Sequence, residues 1–178
     1  MTTPRLFGLS GSLRKGSTNT RLLEEAARLF GACDYILADL NFPLYNGDDE
    51  AASGVPEIVK AVAAQIVEAD AVIISTPEYN GAPSGVLKNA LDWISRVEGS
   101  TWGGKPVAVM SAAAGRAGGE RSQMILRSCM VPFRPNILQG PQIHLAASSD
   151  AFDENGHLKG EMYVKELTEL MQSLRKLI

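Results

Sequence analysis

One passage near the N-terminus constrains the fold more than any other. An apolar run, Leu6 to Leu9, enters the segment Gly8-Leu9-Ser10-Gly11-Ser12-Leu13-Arg14-Lys15-Gly16-Ser17-Thr18-Asn19, and a helical pattern ending at Phe30 leaves it. Strand, donor-rich loop and helix N-terminus in succession is how an α/β fold holds a phosphate. The first N–H groups of a helix have no internal acceptor, and the helix dipole leaves partial positive charge there. Hydroxyls at Ser10, Ser12, Ser17 and Thr18 add donors, and so does the Asn19 amide. The passage is none of the common nucleotide signatures. It lacks G-x-G-x-x-G and G-x-x-x-x-G-K-[ST], and Ser12 stands where a nucleophile elbow needs its second glycine. The plainer alternative is a capped turn that binds nothing.

Beyond this loop, strand and helix patterns alternate. Strands are predicted at 5–10, 35–40, 69–75, 106–111 and 137–145, the last broken near Gly140-Pro141. Helices are predicted at 18–30, 56–68, 84–96, 119–129 and 160–177. Residues 41–55, with Pro43, Asn46-Gly47, the acidic run Asp48-Asp49-Glu50 and Gly54, read as one long loop, a candidate lid or partner contact. The run Ala71-Val72-Ile73-Ile74 suits a central parallel strand buried on both faces. The expected fold is therefore α/β: a flavodoxin-like, doubly wound, five-stranded parallel sheet in the order 2-1-3-4-5, with helices on both faces. A length of 178 residues fits one such domain, residues 1–178. In that topology a ligand sits beyond the carboxyl ends of strands 1 and 3.

The loops at those ends carry the special residues. The third strand exits into Thr76-Pro77-Glu78-Tyr79-Asn80-Gly81-Ala82-Pro83. Two prolines stiffen it, Tyr79 can cover a flat ring, and Asn80 offers both donor and acceptor. Glu78 reads either as a ring contact or as the partner of a helix N-terminus. A rigid β–α turn without ligand is the alternative. After the fourth strand, Ser111-Ala112-Ala113-Ala114-Gly115-Arg116-Ala117-Gly118-Gly119 lets backbone approach a ligand closely. Phosphate at the first loop and a flat heterocycle at the other two describe a mononucleotide such as FMN.

Charge and composition narrow the partners. A net charge of −3 with no Lys/Arg cluster gives no nucleic-acid footprint. No apolar stretch is long enough to span a bilayer, and the first residues lead straight into a strand, so a cytoplasmic protein without leader or membrane association is expected. Cys33 and Cys129 read as buried thiols. His144 and His157 form no metal-ligand spacing with them and read as surface or packing residues, so no metal site is expected.

Three segments together resemble a known family. They are Gly11 to Asn19, then Pro77-Glu78-Tyr79-Asn80 followed by Pro83-Ser84-Gly85-Val86-Leu87-Lys88-Asn89-Ala90-Leu91-Asp92-Trp93-Ile94-Ser95-Arg96, and Gly118-Gly119-Glu120-Arg121-Ser122-Gln123. They resemble the NADPH-dependent FMN reductase family, in its branch of bacterial soluble chromate and quinone reductases. The resemblance implies FMN as cofactor and NADH or NADPH as co-substrate. It implies that Ser10, Ser12, Arg14, Ser17, Thr18 and Asn19 hold the phosphate and its approach. Pro77, Glu78, Tyr79 and Asn80 would hold the isoalloxazine, and Ser111 would contact the ring or ribityl chain. It also implies a homodimer or tetramer. Trp93, off the apolar stripe of its helix, is read as part of a second partly apolar surface, or else as a cap on the same core.

The expected activity is that of an NAD(P)H:acceptor oxidoreductase working by ping-pong hydride transfer through flavin N5, with small-molecule acceptors: quinones, chromate, azo compounds or ferric complexes. The flavin carries the chemistry and no catalytic side chain is required. The rival readings are a non-enzymatic electron carrier of flavodoxin type and a small α/β hydrolase or phosphate-binding regulator. Bleaching by NAD(P)H separates the first, and failure to take up FMN would favour the second.

Overall fold

The computed structural model describes residues 3–178. The chain runs β1 (Arg5–Ser10), α1 (Thr18–Phe30), β2 (Asp34–Leu37), α2 (Gly47–Ser53), α3 (Glu57–Glu68) and β3 (Ala71–Thr76), then a short hairpin of β4 (Glu78–Tyr79) and β5 (Ala82–Pro83). It continues through α4 (Gly85–Ile94), β6 (Pro106–Ala112), α5 (Glu120–Met130), β7 (Asn136–Ile137), β8 (Ile143–Leu145) and α6 (Glu161–Arg175). The main sheet is parallel, in the order β2-β1-β3-β6-β7, and β8 pairs with β6 farther along. Asn136 and Ile137 face Pro106 and Val107, whereas Ile143 to Leu145 face Met110 to Ala112. β7 and β8 are thus one fifth strand in two pieces, interrupted around Gly140-Pro141, and the flavodoxin-like order 2-1-3-4-5 is present.

Period-two alternation divides the central strands between two cores. Phe7, Leu9, Val72, Ile74, Val107 and Val109 point to the face covered by α3, α4 and α5. Leu6, Ala71, Ile73, Ala108 and Met110 point to the face covered by α1 and α6. Both faces are dry, which is why these strands read as continuous apolar runs. On α1, Leu22, Leu23, Ala26, Ala27 and Phe30 form the buried stripe. On α6 it is Leu167, Leu170, Met171 and Leu174. Fully burying one leucine contributes about 1.5–3 kcal/mol, so these stripes hold α1, and with it the preceding loop, in place.

Four details refine the expectations. β2 ends at Leu37, not Leu40; it is an edge strand, and only the Ala38 amide extends its pairing, donating to Gly8 O at 2.8 Å. The segment 41–55 contains helix α2 with no buried residue, so periodicity could not reveal it. Asn46 caps it by accepting from the Asp48 amide at 3.0 Å, and the acidic run is its first turn, where negative charge suits the helix dipole. Asn80 and Gly81 both have left-handed backbone angles, φ 52° and 76°, and make the tight turn of the β4–β5 hairpin. Of the two readings of Trp93, the structure shows the cap on the same core: it is buried, its Nε1–H donates to Pro43 O at 2.8 Å and Tyr45 meets it edge-on at 5.0 Å.

Candidate functional site

The sheet places the C-terminal ends of β1, β3 and β6 side by side, and hydrogen bonds across them build a platform. Asn19, on the first turn of α1, is its keystone. Its Oδ1 accepts from Ser75 Oγ at 2.8 Å and from the Ala112 amide at 3.0 Å, while its Nδ2 donates to Ala112 O at 3.0 Å. One buried side chain therefore ties α1 to both β3 and β6. Ser84, the N-cap of α4, donates from Oγ to Gly11 O at 2.5 Å and accepts from the Leu87 amide at 3.2 Å. Gly11 must be glycine here, since a Cβ would lie 2.9 Å from both Ser84 Oγ and Thr76 Oγ1.

On this platform opens a cavity of about 520 Å³, within the range of about 300–1,000 Å³ usual for small-molecule sites. One end is made by Ser12, Arg14, Ser17, Thr18 and Arg21. Ser17 caps α1, accepting from the Thr20 amide at 3.3 Å and keeping its own O–H free to donate. The Thr18 and Asn19 amides have no acceptor within the helix. Arg14 and Arg21 form no ion pair among the described residues. The other end is made by Pro77, Glu78, Tyr79 and the small residues Ala112 to Gly115. Glu78 Oε2 accepts from the Arg121 amide at 3.2 Å in the first turn of α5, so its carboxylate serves a helix N-terminus as well as bordering the cavity.

Behind the site α1 is anchored by a buried carboxylate. Glu25 accepts from Arg28 at 2.7 and 2.8 Å, lies 3.2 Å from His157 Nδ1, and accepts weakly from the Leu158 amide at 3.4 Å. Burial pushes its carboxyl up. The Arg28 and His157 hydrogen bonds and the Arg28 charge outweigh that, holding it below the usual carboxylate range. His157 is thus a packing residue on this carboxylate.

Comparison with known proteins fits this geometry. A model of the NADPH-dependent FMN reductase family matches residues 4–150. The chain belongs to that family. An NAD(P)H-dependent FMN reductase of Pseudomonas aeruginosa is 40% identical, over 96% of this chain and 93% of its own. A 2-hydroxy-1,4-benzoquinone reductase of a Burkholderia species is 37% identical, over 90% of this chain and 88% of its own. Among solved structures, the flavoenzyme NAD(P)H:(acceptor) oxidoreductase FerB of Paracoccus denitrificans superposes with a TM-score of 0.87 at 29% identity, covering 98% of this chain and 97% of its own. The protein is accordingly an NAD(P)H-dependent FMN oxidoreductase, with FMN as cofactor and a reduced nicotinamide nucleotide as co-substrate.

The residues of the reductase fit that cofactor. Hydroxyls, free helix amides and two arginines at one end are a donor set for a phosphate. The proline, the tyrosine and the alanines at the other end supply apolar surface and small side chains beside Glu78, suited to a planar ring. Of the residues anticipated from sequence, Ser12, Arg14, Ser17, Thr18, Asn19, Pro77, Glu78 and Tyr79 line the cavity. Three others do not. Ser10 Oγ turns to Thr20 Oγ1 at 2.9 Å. Ser111 Oγ donates to Gly118 O at 2.7 Å and accepts from Gln123 Nε2 at 2.9 Å. Asn80 sits exposed at the hairpin tip. The Asn19 side chain, although at the cavity wall, is committed to Ala112 and Ser75; toward the cavity it has its backbone amide to offer. Arg21, Ser148 and Ser149 line the cavity without having been anticipated. Arg21 lies one helical turn beyond Ser17, a spacing that puts both on one face of α1. Ser148 and Ser149 follow the fifth strand, at the same edge of the sheet as the other loops. No residue of 41–55 reaches the cavity. That segment is strapped to α4, with the Tyr45 amide donating to Asn89 Oδ1 at 2.9 Å, Asn89 Nδ2 to Pro43 O at 2.9 Å and Arg96 to Glu50 at 2.9 Å.

Proposed function

We propose that this reductase carries electrons from NADH or NADPH to small oxidised molecules, quinones first, with chromate, azo compounds and ferric complexes as further acceptors, in a ping-pong cycle. The observation that carries this reading is one cavity with two unlike ends, donor-rich at α1 and, at the β3 and β6 loops, lined by Pro77, Tyr79 and small residues beside the Glu78 carboxylate. The redox chemistry is supplied by FMN when bound. Ser12, Arg14, Ser17 and Thr18, with the backbone amide of Asn19, hold the phosphate. Pro77, Glu78 and Tyr79 frame the ring on one side, with Asn80 shaping the hairpin turn that carries them, and Ala112 to Gly115 frame it on the other. Ser10 and Ser111 act as positioning residues, through Thr20 and through Gly118. The Ala113 amide is already bonded to Leu145 O at 3.0 Å, so the amides of Ala114 and Gly115 are the donors left to face the ring.

Donor and acceptor share one face because the cavity offers one slot beside Tyr79, so the oxidised nucleotide leaves before the acceptor enters. The names of the relatives support quinones as the leading class. A homodimer with the cavity near its interface is supported by apolar surface on neighbouring elements. Tyr79 is 54% exposed on β4, and Met124 is 65% exposed on α5, which packs against that hairpin. Among the described residues no helix is long and apolar enough to cross a membrane, in keeping with a cytoplasmic location.

Anaerobic spectroscopy and two-substrate kinetics test the proposal together. Purified protein reconstituted with FMN should be yellow and bleach on NAD(P)H. Initial rates varied in nucleotide and quinone should give parallel double-reciprocal lines. Intersecting lines overturn the shared-face cycle, and a protein that takes up no FMN overturns the site assignment.

A further inference from the structure

The C-terminal third carries no nucleotide motif, yet it builds one wall of the cavity at its donor-rich end. After β8, Ala147 takes a left-handed backbone angle, φ 44°, and turns the chain back toward α1. The segment is pinned there: the Ser148 amide donates to Ala113 O at 3.2 Å, and the Asp150 amide to Ala147 O at 3.1 Å. Ser148 is only 5% exposed and lines the cavity, and its Oγ lies 3.0 Å from Thr18 Oγ1, on the first residue of α1. Each of these hydroxyls carries one proton, and their mutual contact uses only one of them. The pair therefore keeps a free O–H donor at the cavity wall. Ser149 adds an exposed hydroxyl on the same wall. Arg21 adds a guanidinium that lies 5.7 Å from the centre of the Phe152 ring and has no carboxylate partner among the described residues.

Donors from two segments 130 residues apart thus converge on the N-terminus of α1. A phosphate dianion accepts more hydrogen bonds than the first helical amides and the Ser12 and Ser17 hydroxyls supply, and each bond to a charged acceptor is stronger than a neutral one. We propose that Ser148 and Ser149, together with Arg21, are further cofactor-binding residues that complete the FMN phosphate subsite from the C-terminal segment. The Thr18–Ser148 hydroxyl pair donates to a phosphate oxygen, and Arg21, seated on Phe152, supplies charge. This rests on the assignment of the donor-rich end to the phosphate made above.

The experiment is titration of flavin-free protein with FMN and with riboflavin, read by flavin fluorescence. Apo-protein melting curves report whether each variant is folded. Ser148→Ala should weaken FMN about tenfold and leave riboflavin within about twofold, since only FMN has the phosphate. Ser148→Thr, which keeps the hydroxyl, should retain most FMN affinity. Arg21→Gln should weaken FMN and flatten its salt dependence. Should Ser148→Ala fail to fold, Ser149→Ala and Arg21→Gln decide by the same comparison. Equal weakening of both flavins overturns the proposal, because the segment would then support the ribityl chain or the fold. Unchanged FMN affinity in all three variants, with wild type still preferring FMN over riboflavin, also overturns it and leaves the phosphate assignment standing. A wild-type protein that binds both flavins equally overturns the underlying assignment itself.

Discussion

Replacing Asn19 with alanine separates bracing from binding. The side chain makes three hydrogen bonds, two to the backbone of Ala112 and one with Ser75, and all of the partners are buried. At a net of about 0.5–1.5 kcal/mol each, three bonds contribute about 3 kcal/mol. Orphaned partners cost more in a closed core, but Ala112, which takes two of the three bonds, borders the cavity where water can replace them, so about 3 kcal/mol is the expected loss. Out of a typical total of about 5–15 kcal/mol this is large. At about 2–4 °C per kcal/mol for a protein of this size, the melting temperature should fall by about 6–12 °C. The assay is thermal or denaturant unfolding of flavin-free protein, where ligand linkage cannot contribute. Asn19→Asp sharpens it. An aspartate keeps both acceptor contacts but sets a carboxylate oxygen against Ala112 O, so it should be destabilised at neutral pH and recover as acid protonates it. If Asn19→Ala leaves flavin-free stability within about 0.5 kcal/mol and lowers only FMN affinity, the bracing argument fails and the side chain belongs to the phosphate site.

Four further perturbations follow from the same structure. Tyr35 has a buried hydroxyl with no hydrogen-bond partner among the described residues, so Tyr35→Phe should be neutral or stabilising in urea unfolding. Gly8→Ala, whose Cβ would lie 2.6 Å from that hydroxyl oxygen, should cost about 1–3 kcal/mol and be partly rescued by Tyr35→Phe in the double variant. The Glu25 carboxyl is held below its usual range by Arg28 and His157 despite burial. Its contribution is therefore present above the unfolded-state pKa of about 4.3 and lost as pH falls through the lower folded value. Glu25→Gln should thus be about 1–3 kcal/mol less stable than wild type at pH 7, with the gap closing in acid, as urea titrations across pH would record. Trp93→Phe removes the bond to Pro43 O and should cost about 1 kcal/mol. FMN affinity by fluorescence should not change, since no residue of the strapped segment lines the cavity.

The sequence by itself determined the architecture and which loops line the cavity. Strands buried on both faces, such as Ala71 to Ile74, need a continuous apolar run, and amphipathic helices such as α1 need their stripe; both patterns are local and survive in one dimension. The donor-rich loop proposed to hold the phosphate was legible for the same reason, because a helix N-terminus and its capping serine are neighbours along the chain. Only the tertiary structure decided which side chains face the cavity. Ser10, Asn19 and Ser111 are residue types suited to a ligand, but their hydrogen bonds go to Thr20, to Ala112 and Ser75, and to Gly118, partners fixed by how three strands end side by side. Helix α2 escaped because it buries nothing, and the two readings of Trp93 stayed open because its cover, Pro43 and Tyr45, arrives from a distant loop. Ser148 and Ser149 were silent for a related reason. Their meaning comes from Thr18, which lies far away along the chain and 3.0 Å away in space, and a one-dimensional pattern holds no record of that distance.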